Sequence, residues 1–161
     1  MRSNDLEPDI IVPQLCGPIA MVAGWSMVPL AVGTLVIRRP SGQVVPHDEP
    51  CGRVLPLTVH TCHHDPISGR YLIAATDYAN SPRLCGIGFA VLGPGYHVLQ
   101  GQPLTSAGDG TLMPLPREGG YALAWPGQEI NNEAGTRPVL FVARLATAMI
   151  CQDIPPVPEE V

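Results

Sequence analysis

Within the stretch HTCHHDP, His60 to Pro66, three histidines, a cysteine and an aspartate fall in six consecutive positions. Imidazole, thiolate and carboxylate are the groups zinc takes as ligands, either to hold a fold or, with one position left open, to activate water. In an extended strand alternate side chains share a face, which would put His60, Cys62 and His64 together and His63 opposite. A four-coordinate site needs a further ligand from another segment, and the candidates are His47, Cys51 and His97. None of these sits in a paired motif such as CxxC, where two ligands converge from one turn. Asp65 precedes a proline and DPISGR is turn chemistry, so the cluster is expected to be the end of a strand entering a surface loop. The expectation is no metal and no cofactor. The alternative is a small zinc-dependent enzyme or metal-binding protein with His60, Cys62 and His64 as its ligands.

Other catalytic patterns are weaker. A Cys62 nucleophile served by an adjacent histidine would need strand neighbours to face the same way, and they face opposite ways. The chain has no G-x-S-x-G elbow, and the glycine pairs at 86–88 and 93–95 lack the G-x-G-x-x-G spacing of a phosphate cradle. Glu118, Glu129 and Glu133 are expected as solvated loop acids, and Trp25 and Trp125 as core or interface anchors. All nine basic residues are arginines. A chain without lysine cannot be an ordinary kinase, P-loop NTPase or Schiff-base enzyme, each of which needs an ammonium at a fixed place. The net charge of -5, with no basic stripe, argues against binding nucleic acid. The arginine bias has two readings, codon usage or a surface meant for fixed partner contacts.

The elements that must position these residues follow from composition. A chain of 161 residues suits one domain with its own core. With 19 prolines and 17 glycines, long helices are disfavoured and short strands with many turns favoured. The expected fold class is all-β, a small β-sandwich or β-barrel with extended N- and C-terminal arms. Five widely spaced cysteines fit free thiols better than a disulfide framework.

Residues 1–9 are polar and are expected to form a flexible arm, and residues 151–161, with Pro155, Pro156 and Pro158, an acidic extended tail. Residues 10–150 make a single β-rich domain, which divides into an N-terminal strand region, 10–80, and a barrel-like region, 86–147. Between Ile10 and Ile37 no residue is charged, so a membrane-attached protein is a further alternative; prolines at 13, 18 and 29 favour buried strands broken by turns. AVGTLVIRRPSGQVV is expected to be a strand pair turning at Pro40, Ser41 and Gly42. In RPVLFVARLA, Val139, Phe141, Ala143 and Leu145 would share one face and Leu140 and Val142 the other, as in a central or covered strand; a short buried helix over 139–150 is the other possibility. Asp109-Gly110 is expected to form a type I′ hairpin turn.

The segments Gln100–Leu112 (QGQPLTSAGDGTL), Gly120–Trp125 (GYALAW) and Pro138–Leu145 (PVLFVARL) resemble the head decoration, or capsid cement, proteins of tailed bacteriophages. That family shows a strand, a G-x-x-L-x-S-x-x-G-x-l segment, a glycine-led strand and a final V-x-V-x-L strand. The likeness covers residues 86–145. It implies a non-enzymatic virion protein that is made in the host cytoplasm, sits as a homotrimer on the capsid surface, and clamps major capsid protein subunits of the expanded head. Its partners would be the major capsid protein and itself, with no nucleic acid and no membrane. Contacts are expected in the two arms, at Arg2, Asn4, Asp5 and Leu6 and at Ile154, Pro155 and Val157.

Overall fold

The structure, a computed structural model, describes residues 20–52, 57–78 and 87–151. The arm positions Arg2, Asn4, Asp5, Leu6, Ile154, Pro155 and Val157 lie outside these residues. The described residues hold twelve strands and no helix. The all-β expectation is met, and the choice between sandwich and barrel falls to the barrel.

The first half is built from β1 (Met21–Ser26), β2 (Val36–Arg38), β3 (Val44–Pro46), β4 (Leu57–His64) and β5 (Tyr71–Asp77). β5 lies between β1 and β4 in an antiparallel sheet, and β2 pairs with β3 as a separate hairpin. That hairpin turns through Pro40, Ser41 and Gly42 as expected, with the Gly42 N–H donating to the Arg39 carbonyl. Val36, Val44, Val59, Ile73 and Ala75 form the buried cluster between hairpin and sheet.

The second half contains β6 (Ile87–Leu92), β7 (His97–Val98), β8 (Leu104–Ser106), β9 (Leu112–Pro114), β10 (Gly119–Pro126), β11 (Ile130–Asn131) and β12 (Val139–Cys151). Five of them close a barrel in the order β10-β12-β6-β9-β8, while β7 and β11 pair beside it. β12 pairs with β6 along Val139–Arg144 and with β10 along Ala143–Cys151, on opposite sides, so the two ladders overlap at Ala143 and Arg144. Its alternation is the expected one: Phe141, Ala143 and Leu145 fill the barrel with Ala90, Leu92, Leu104, Leu112 and Leu123, while Leu140 points outward. The possible helix over 139–150 is a strand.

Asp109-Gly110 does not form the two-residue turn expected of it. β8 and β9 are joined by residues 107–111, where Gly108 and Gly110 take positive φ and Asp109 does not. The Asp109 carboxylate accepts from the Thr111 N–H at 3.0 Å and from the Thr111 hydroxyl at 2.6 Å. That local side-chain bond orders the loop without forcing aspartate into the left-handed region.

Polar contacts join the halves. Leu35, from the first half, is buried in the barrel cluster and its N–H donates to the Gly110 carbonyl at 2.8 Å. The Tyr78 hydroxyl meets the Thr58 and Thr76 hydroxyls and the Phe89 backbone. Gly88 leaves the room that this ring needs, since a Cβ there would collide with the Tyr78 hydroxyl and ring.

Candidate functional site

The predicted cluster does lie at the end of a strand running into a loop. β4 ends at His64, and the loop is closed by the Asp65 N–H to the Arg70 carbonyl and by the Ser68 hydroxyl to Asp65. The expected sharing of one face by His60, Cys62 and His64 is not what forms. Val59 pairs with Ala75 and Thr61 with Ala74, so His60 is the extra residue of a β-bulge and the two-residue alternation is interrupted there. Cys62 lies opposite Ile73 and packs on the first-half core, and the His64 ring meets Tyr71 at 5.1 Å between centroids. Among the described residues, no three His, Cys, Asp or Glu side chains are grouped as a metal would need. Two of the outside candidates are engaged elsewhere, His97 Nε2 lying 2.5 Å from Glu129 Oε2 and His47 Nδ1 2.6 Å from Ser106 Oγ, while Cys51 keeps a free, half-buried thiol.

The His47 and Ser106 pair has the atoms of a base and a nucleophile, but both side chains are buried, His47 at 3 % exposure and Ser106 at 0 %. Ser106 Oγ also accepts from the Gly108 N–H at 3.1 Å, and the Cys51 N–H donates to the Ser106 carbonyl at 3.1 Å. Burial lowers the His47 pKa from 6.5, against the upward pull of Asp48 and Glu49, so the imidazole is neutral and bridges the 46–52 segment to β8. Without solvent access the pair is a fastening. Sequence reasoning named His47 only as an outside ligand, and no local pattern could have joined it to a serine 59 positions away.

A surface feature of different chemistry lies on the barrel wall. Trp125, Arg144 and Ile87 are directly opposed across β10, β12 and β6 on the outer face. They line a cleft of about 380 Å³ together with Val142, Pro126, Gln100 and Gln128. The Arg144 guanidinium lies 4.4 Å over the Trp125 ring, and no carboxylate among the described residues pairs with it. Arg144 is exposed and Trp125 half-buried, and an exposed arginine stacked on an aromatic ring beside apolar strand residues is suited to being covered by another chain. Sequence reasoning identified Trp125 as a candidate anchor but missed Arg144, which stood out only as the one charge in an otherwise apolar strand. Trp25 carries a similar stack, with the Arg70 guanidinium 3.9 Å from its ring centroid, beside Leu72, which is half exposed.

No helix among the described residues is long and apolar enough to cross a membrane; residues 20–37 of the uncharged run contain β1 and the start of β2, and residues 10–19 lie outside the described residues. Neither a protein-family profile nor a curated protein matches the chain.

Proposed function

We propose that this protein is a structural component of a phage virion, a non-enzymatic trimer that decorates the expanded capsid and stabilises contacts between major capsid subunits. The observation that carries this reading is the outer barrel wall, where Trp125 and Arg144 form a cleft with Ile87 and Val142. Aromatic and arginine side chains that a partner buries dominate the energetics of protein interfaces. The resemblance of residues 86–145 to decoration proteins and the β-barrel formed by that half support it further. Of the histidines that invited a catalytic reading, His64 packs on Tyr71 and His60 is set apart by the bulge, while His47 and His97 are held by Ser106 and Glu129. A decoration protein would act by linkage, since binding one capsid state and not the other raises that state's stability by mass action.

The test is native mass spectrometry of the full chain followed by co-sedimentation with expanded and unexpanded heads of the phage that encodes it. A metal-free species at three times 17.1 kDa that pellets only with expanded heads is the expected result. A monomer carrying one tightly held zinc per chain, or a trimer that ignores both head forms, overturns the proposal.

A further inference from the structure

From the cleft and the tail sequence together, we infer that the Trp125–Arg144 cleft is the receptor for the proline-rich C-terminal tail, residues 152–161, of a second copy of this chain. The inference rests on the self-association part of the proposed function and is independent of the capsid. The cleft offers an indole with the Arg144 guanidinium stacked over one face, apolar strand residues, and no carboxylate partner for that guanidinium among the described residues. The tail offers the complement. Pro155, Pro156 and Pro158 are interspersed with Ile154 and Val157, followed by Glu159 and Glu160, and the segment carries no positive charge. Proline-rich segments hold an extended conformation before binding and dock on aromatic-lined grooves at low entropic cost. A carboxylate beside them would meet Arg144, whose planar fork suits carboxylate geometry.

Chain direction selects the second copy over the same one. Arg144 is paired with Trp125, while the strand continues to Cys151, paired with Gly119. At about 3.3 Å per residue the described strand ends roughly 23 Å beyond the cleft, running away from it. Returning to its own cleft would require a full reversal within residues 152–154, since the prolines that follow favour an extended path. An extended tail of ten residues reaches roughly 31 Å onward, enough to cross to a neighbour. Exchange of such a segment between copies is a common route to a closed oligomer.

The experiment uses the full chain with a photoreactive benzoylphenylalanine in place of Gln128, at the cleft, illuminated and run on a denaturing gel, with the linked peptides mapped by mass spectrometry. The expected product is a covalent dimer whose link falls within residues 152–161. Arg144→Glu should cut its yield roughly tenfold, as for a central charged anchor, and adding Glu159→Arg and Glu160→Arg should restore it. A trimer on native mass spectrometry with links elsewhere, or none, overturns the inference and leaves self-association standing. A link to the tail within one chain overturns the second-copy assignment, and a monomeric mass with that result defeats the self-association reading as well.

Discussion

At the scale of single residues, His47 and Asp65 are titratable groups spent on structure, and this makes their effects predictable. His47 is held neutral by burial, so the unfolded chain binds its proton first as the pH falls. Its contribution is complete above pH 6.5 and declines below it, until the folded imidazole also protonates. Urea midpoints taken at about pH 8 and about pH 5.5 should therefore fall at the lower pH, and His47→Gln should flatten that difference. Asp65, whose pKa the Ser68 hydroxyl and the Ile67 N–H lower from 3.8, acts in a separate window, its contribution being lost only as the pH falls below that value. Ser106→Ala would leave His47 Nδ1 and the Gly108 N–H without their partner, at a cost of about 1–3 kcal/mol in denaturant unfolding. By contrast, His60→Ala should stay within about 0.5 kcal/mol, since that side chain is exposed at the bulge. The type of each of these residues was legible in the sequence. Their partners were not, because the pair is closed by strands far apart in the chain.

At the scale of elements, periodicity was the most informative signal. The alternation of β12 was readable because each step of two returns a side chain to the same face, and the barrel core takes Phe141, Ala143 and Leu145 as that rule requires. Leu123→Ala in the facing β10, where the side chain is fully buried, should cost about 2–5 kcal/mol in the same assay. The bulge at His60 broke the same rule in β4. A bulge is set by how the neighbouring strand pairs, and HTCHH carries no glycine or proline to announce it. The contact of Tyr78 with Gly88 was equally invisible, though it is where the two halves meet. Gly88→Ala should displace the ring from Thr58 and Thr76 and destabilise the protein by about 1–3 kcal/mol, with near-ultraviolet circular dichroism reporting the altered tyrosine environment.

At the scale of the whole molecule, the proposed trimer carries a prediction of its own. If copies are held through the cleft, Trp125→Ala should leave the barrel folded, since this residue lines its outside, while lowering the oligomer mass at a given concentration by native mass spectrometry. The salt dependence of association should shrink in the Arg144→Gln variant, because a screened charge pair is removed. The amino-acid sequence by itself determined the all-β class, the two faces of β12 and the lack of lysine chemistry, for these depend on local periodicity, turn residues and composition. Only the tertiary structure decided that five strands close into a barrel, that His47 meets Ser106, and that Trp125 and Arg144 share a cleft. Those outcomes depend on register and closure between strands distant in the chain, which side-chain alternation within any one strand does not encode.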